Sequence, residues 1–347
     1  MLMSTDSATA VEALGVGARE DSRTGSSRAR RAIPVEAFQV VILGSLVVLH
    51  AFGCRKDSPE PSSGQRLNVL CTFLPVYVMA LNVVGDDPTV DVRLMVTSDL
   101  GCPHEYALRP ADLKAADRAN IIVAHGLGME PFLEDLQRTN PRTKVVVISD
   151  DCEVLEASGQ GHVHNSNCGH DHGAVNGHVW VSPRRAAVEA GTMATKLSEI
   201  DPGRAAAYEA NAEAYAHRLD ALHQRMETAA RGFANRRIVT SHDAFAYLAR
   251  DLDLEVVATL QAEPGQAAVA HQMAHVVETI KRSRAAAVFF EPGPGERIAR
   301  TVAREAGVPV HPLNPFNTLA GKPTAGSYEE VMSENLRVLQ EALGGKP

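Results

Sequence analysis

The stretch "DPGRAAAYEANAEAYAHRLDALHQRMETAARGF", Asp201 to Phe233, has no proline after Pro202 and is rich in Ala, Glu, Arg and Leu. These side chains lose little freedom in a helix, so the run reads as one long helix. Tyr208, Tyr215, Leu219, Leu222 and Met226 recur at steps of three, four and seven residues, which aligns them as a single apolar stripe. On both sides of this helix, short apolar runs alternate with helical patterns. Upstream, "LNVLCTFLP", "DVRLMV", "NIIVAH" and "KVVVISD" are strand-like, with helical segments such as "PADLKAADR" and "MEPFLEDLQR" between them. Downstream the strand-like runs are "RIVTSH", "LEVVAT", "AAAVFFE" and "VPVHPLN", separated by helices such as "AAVAHQMAHVVETIKR". The order predicts an α/β protein of two lobes, each a mostly parallel sheet flanked by helices, joined by one long rigid helix.

Composition agrees with a globular chain. Its 347 residues are 45% apolar and 22% charged, enough for two cores. A formal charge of -8 argues against a nucleic-acid partner, which calls for a basic face.

Residues 1–31 are rich in Ser, Ala and Arg and end in "RARR"; the apolar run "VVILGSLVVL", Val40 to Leu49, follows. Ten residues is signal-peptide length and short for a bilayer span. The run closes near Gly53-Cys54, which resembles a bacterial lipoprotein signal with Cys54 as the lipidated residue, although Ala51 and Phe52 depart from the usual pattern. The expected organisation is a leader over 1–54 and a Pro-, Ser- and charge-rich flexible tether over 55–66. A first metal-binding lobe over 67–183 carries a His-rich loop at 161–178. Helices over 184–235 include the long one, and a second metal-binding lobe covers 236–347. The expected location is extracytoplasmic, periplasmic or held at the membrane by a lipid or signal anchor. Apart from Cys54, Cys71, Cys102, Cys152 and Cys168 are an even number that allows one or two disulfides.

Histidine is the informative residue. Five of fourteen fall within seventeen residues of "GHVHNSNCGHDHGAVNGHVWVSP". His162, His164, His170 and His172 lie among turn-forming residues with no apolar period and form an accessory loop able to collect zinc weakly. His178 precedes Val-Trp-Val and the helix opening Ser182-Pro183, which places it on framed structure. In open α/β sheets ligands bind beyond the carboxyl ends of strands. There the chain has His125, His242, Glu291 and Asn314, with His104 in the loop after "DVRLMV". A cleft that gathers His104, His178 and His242 suits zinc, which favours nitrogen donors in tetrahedral geometry.

The strings "HEYALRPADLKAADRANIIVAHGLGMEPFL", "GHVWVSP", "YEANAEAYAHRLDAL", "TSHDAFAYLARDLDLEV", "AEPGQ" and "VFFEPGPGERIARTVAREAGVPVHPLNP" together resemble the zinc- and manganese-binding solute-binding proteins of bacterial ABC importers, the ZnuA/TroA-like group. The resemblance runs from about Leu67 to Leu343. It implies a two-lobed receptor that holds one metal ion between its lobes and passes it to a permease and its ATPase. It also implies that the histidines of H-x-Y, H-x-W and SHDAF are ligands, here His104, His178 and His242. A histidine rather than a glutamate at the third place favours Zn2+ over Mn2+. The family's usual fourth ligand is an aspartate where this chain has Asn314, so water or Glu291 are alternatives for that position.

His125 reads as a hydrogen-bonded residue rather than a ligand, and Glu291 as a carboxylate that accepts hydrogen bonds. His217, His223, His271 and His275 read as helix-surface residues, although the last pair is spaced four apart, as a zinc pair on one helix face would be. The alternative functions are a zinc-dependent hydrolase, against which no "H-E-x-x-H" string occurs, and a lipid-anchored surface adhesin. The receptor is expected to be a monomer.

Overall fold

The computed structural model describes residues 66–101, 103–157, 175–260, 270–293 and 295–344. The leader with Cys54, the tether up to residue 65, Cys102, Cys168 and the loop histidines His162, His164, His170 and His172 lie outside the described residues.

All eight expected strands form. In the first lobe β1 (Leu67–Cys71), β2 (Val90–Leu94), β3 (Ile121–Ala124) and β4 (Lys144–Val147) make a wholly parallel sheet in the order β2-β1-β3-β4. Its helices are α1 (Leu74–Val84), α2 (Pro110–Arg118) and α3 (Leu133–Thr139). A two-stranded hairpin, β5 (Leu155–Glu156) with β6 (Val175–Asn176), leads to α4 (Pro183–Ile200) and the long helix α5 (Ala205–Ala230). The second lobe has β7 (Arg237–Thr240), α6 (Ala246–Asp251), β8 (Glu255–Thr259), α7 (Ala270–Ser283), β9 (Ala287–Phe290), α8 (Glu296–Ala306), β10 (Val310–Pro312) and α9 (Ser327–Leu343). Its sheet is also parallel, in the order β10-β9-β7-β8.

The two sheets therefore share one topology. In each, the lobe's first and third strands are central neighbours, and the chain changes direction across the sheet between them. That switch point is where an open α/β sheet leaves a crevice at its carboxyl edge. Both third strands, β3 and β9, are buried along their whole length.

Helix α5 buries Tyr208, Ala212, Tyr215, Leu219, Leu222, Met226 and Ala230, the stripe expected from its spacing. It packs on α4, on α1 of the first lobe and on α9 of the second. One cluster of buried side chains runs from Val69 and Ile122 through Leu219 to Phe289 and Phe316, so the long helix sits in a core that both lobes share.

One local expectation is corrected and another narrowed. The run "LNVLCTFLP" stops being a strand at Cys71, because Pro75, which has no N–H to donate, is placed in the first turn of α1. Cys71 and Cys152 are free thiols, not disulfide partners. Burial raises both, the Cys152 thiol to about 12, so neither is a thiolate near neutral pH. Among the described residues, no helix is long and apolar enough to cross a membrane.

Candidate metal centre

The second lobe's switch point carries His242 and Glu291. Strand β7 ends at Thr240, two residues before His242, and Glu291 follows β9 directly. Glu291 Oε1 lies against His242 Nδ1. The residue is itself held: the Glu291 backbone N–H donates to Ser241 Oγ at 3.2 Å, and Asn317 Nδ2 donates to the carboxylate Oε2 at 3.4 Å. Because a carboxylate accepts, Nδ1 of His242 carries the ring proton and Nε2 presents its lone pair.

His178 reaches the same place from the first lobe. Asn176 Oδ1 accepts the backbone N–H of His178 at 2.9 Å and lies 3.0 Å from its Nδ1. An atom that accepts from a backbone N–H is the amide oxygen, so the ring nitrogen beside it must donate. His178 too therefore carries its ring proton on Nδ1 and turns Nε2 towards His242. Trp180, two residues on, anchors this turn: its Nε1 donates to Pro315 O at 2.8 Å and its carbonyl accepts from Tyr328 Oη at 2.7 Å.

His178 Nε2 and His242 Nε2 are 3.3 Å apart and both residues are buried. With no proton between them the lone pairs repel. Two nitrogens bound at 2.0–2.1 Å to a tetrahedral zinc stand about 3.3 to 3.4 Å apart, so the gap fits one edge of that tetrahedron. Burial first, then the neighbouring His242, His104 and His125, holds the His178 pKa well below the ordinary imidazole value. The ring is neutral at neutral pH, as metal ligation requires.

His104 stands further out, in a single helical turn, Pro103–Glu105, after β2. Its ring centroid is 5.4 Å from that of His178, and its Nε2 is buried. Among the described residues no three His, Cys, Asp or Glu side chains are already gathered at ligand distance. Two nitrogens are preset, and the third lies one ring away.

His125 closes β3 at the first lobe's switch point, but both of its nitrogens are engaged. Nε2 is 2.7 Å from Glu189 Oε1 of α4, and Nδ1 is 3.1 Å from Gly126 O. Burial opposes charge on this ring, yet Glu189, with Glu130 and the Gly126 carbonyl, outweighs it and raises the pKa. Glu130 accepts from Thr72 Oγ1, His125 N and Gly126 N at 2.7, 2.7 and 3.0 Å. The Trp180 ring stands against both histidines, with centroid distances of 4.9 Å to His125 and 5.3 Å to His178.

Asn314 spends its side chain locally. Oδ1 accepts from Phe316 N at 2.8 Å, and Nδ2 donates to Thr318 O at 3.0 Å. That turn holds Phe316 at a φ of 62°, a conformation a non-glycine residue keeps only with such support. His217, His271 and His275 are exposed and His223 is half-buried on their helices.

Sequence reasoning missed Asn176, Glu130, Glu189 and Asn317. Asn176, two residues before His178, carried a faint signal, since Asn readily bonds backbone two residues on. Glu189 lies 64 residues beyond His125 and carried none.

The chain is 31% identical over 307 residues to the zinc-binding lipoprotein AdcA of Streptococcus pneumoniae, an alignment covering 87% of this chain and 60% of the relative. The chain thus spans about 60% of the length of AdcA. It is 27% identical to the high-affinity zinc uptake system protein ZnuA of Bacillus subtilis, covering 81% of this chain and 89% of that protein. The solute-binding protein FpvC of Pseudomonas aeruginosa, solved with Ni2+, superposes with a TM-score of 0.70 at 27% identity, over 82% of this chain and all of that one. The family model for ZnuA, the periplasmic component A of a zinc-uptake complex, matches residues 69–342, which takes in both sheets and all three candidate ligands. A match over that span shows that this chain belongs to the ZnuA family.

Proposed function

We propose that this chain is an extracytoplasmic solute-binding protein that captures a divalent metal ion, zinc in preference to manganese, and delivers it to the permease and ATPase of an ABC importer. The observation that carries this reading is the 3.3 Å convergence of the His178 and His242 Nε2 atoms from the two lobes, each ring held from behind by an acceptor. A ligating imidazole backed by a carboxylate or carbonyl oxygen is the usual construction of a zinc site, because the backing fixes ring and tautomer and raises basicity.

In this reading His178 and His242 bind first and His104 closes on the ion. Water takes the fourth position, since Glu291 and Asn314 are engaged elsewhere. Three neutral imidazoles leave the ion doubly charged, and the Glu291 carboxylate behind His242 supplies the nearest compensation. The names of AdcA and of the Bacillus protein support zinc as the cargo, and the nickel complex of FpvC shows that the fold admits other divalent ions. We assign the lobes to 67–183 and 236–347 with the joining helices at 184–235. Residues 1–54 are the leader, lipidated at Cys54, and 55–66 the tether of a monomer held outside the cytoplasm. His162, His164, His170 and His172 form an accessory site that collects zinc weakly. A hydrolase would need a base free beside the bound water, and the candidate Glu291 already holds His242 and Asn317.

The test is chelator competition on the purified protein with zinc and manganese. The expected result is one tight zinc per chain, with manganese weaker. Tighter manganese than zinc, or no tight site, overturns the proposal.

A further inference from the structure

We propose that Asn176 is a positioning residue that sets the spacing of the metal site, using one side-chain amide to choose the nitrogen His178 presents and to register that ring against His242. This inference rests on His178 and His242 being ligands. Three contacts carry it. Asn176 Oδ1 takes the His178 backbone N–H and faces its Nδ1, which fixes the ring's tautomer and rotation. Asn176 Nδ2 donates to the carbonyl of Asp243 at 2.7 Å, and Asp243 is the residue after His242. The Asn176 carbonyl accepts from Tyr247 Oη of α6 at 2.6 Å, and the same hydroxyl accepts from Leu155 N at 2.9 Å, which docks the β5–β6 hairpin on the second lobe.

The amide thus lies two residues from one candidate ligand and one hydrogen bond from the neighbour of the other. It is 4% exposed, so water cannot readily replace either bond. An amide suits both tasks because it has an acceptor and a donor on one planar group. Alanine offers neither, and aspartate keeps only the acceptor. Without Asn176 the imidazole can flip or exchange its proton to Nε2, which turns a ligand into a donor, and the lobes lose the bond from Asn176 to the Asp243 carbonyl.

The experiment reads both tasks on the full chain. Long-range 1H–15N correlation of the metal-free protein reports which ring nitrogen of His178 is protonated, and chelator competition reports zinc affinity. In the wild type the expected signal is protonated Nδ1. Asn176→Ala should lose that single tautomer and weaken zinc binding roughly 10- to 100-fold, the usual effect of removing a group behind a ligand. Asn176→Asp should restore the Nδ1–H tautomer. Tyr247→Phe, which frees the hairpin without touching the amide, should keep the tautomer. If Asn176→Ala leaves tautomer and affinity unchanged while His178→Ala abolishes tight binding, the positioning role is wrong and the metal site stands. If His178→Ala binds zinc normally, the site assignment itself fails. Should the alanine variant not fold, an Nε2–H tautomer in Asn176→Asp overturns the proposal and an Nδ1–H tautomer supports it.

Discussion

Each lobe places a histidine beside its switch point, His125 after the third strand of the first lobe and His242 after the first strand of the second, and the two histidines do opposite things. His125 follows β3 and His242 follows β7, each at a switch point where an open sheet offers a crevice. At the first, α4 sends Glu189 into the crevice and closes Nε2 with an ion pair, so the ring favours its charged form and belongs to the core. At the second, Glu291 takes Nδ1 from behind and leaves Nε2 to meet that of His178. Which nitrogen the carboxylate takes decides whether a buried histidine is a brace or a ligand. Trp180 stands against His125 and His178, so an imidazole whose pKa is raised and one whose pKa is lowered both pack on a single indole.

The largest expected effect is loss of a ligand. Structural zinc sites are worth about 10–16 kcal/mol over four ligands, so His178→Ala or His242→Ala should cost about 3 kcal/mol or more of zinc affinity, over a hundredfold in chelator competition. His125→Gln should leave a tight site. Equal losses at His125 and His242 would erase the distinction between the switch points.

Glu189→Gln should act on folding rather than on metal. Removing one partner of a buried ion pair costs about 3–5 kcal/mol, measurable by denaturant titration. The pH dependence has a definite sign. The His125 pKa is raised in the fold, so its contribution is complete below the ordinary imidazole value of about 6.5 and is lost as pH rises through the folded value. The gap between wild type and Glu189→Gln should therefore narrow as pH rises. His178 works the other way: its pKa is lowered, so the unfolded chain takes up a proton that the fold refuses, and stability falls as pH drops below about 6.5.

Glu291→Ala should weaken zinc about 10- to 100-fold by freeing the His242 ring. The smallest effect is expected at Asn314. Asn314→Asp keeps the acceptor for Phe316 N and loses the donor to Thr318 O, so stability should fall by about 1 kcal/mol while zinc affinity changes less than about threefold. A large gain in affinity would return residue 314 to the metal.

The fold was legible because its signals are local. Eight apolar runs and the stripe on α5 could be read directly, whereas α1 could not, since "LPVYVMALNVV" is apolar nearly all round and shows neither helical nor strand period. The candidate ligands were legible as residues at strand ends and in strings that resemble a family. The ring tautomers of His178 and His242 were not, because these depend on Asn176 and Glu291, and only Asn176 is near its histidine in sequence. The apparent equivalence of "VAH" and "TSH" in the sequence is broken by a glutamate on α4, a contact that forms only once the helix packs on the sheet.

The most direct test of the site is a zinc-edge anomalous diffraction map of the loaded crystal. One strong peak is expected between the lobes, about 2.0–2.1 Å from the Nε2 atoms of His104, His178 and His242, with the Glu291 carboxylate still on His242 Nδ1. A peak bound to His125 Nε2, or one that leaves His178 and His242 in contact with each other, would contradict it.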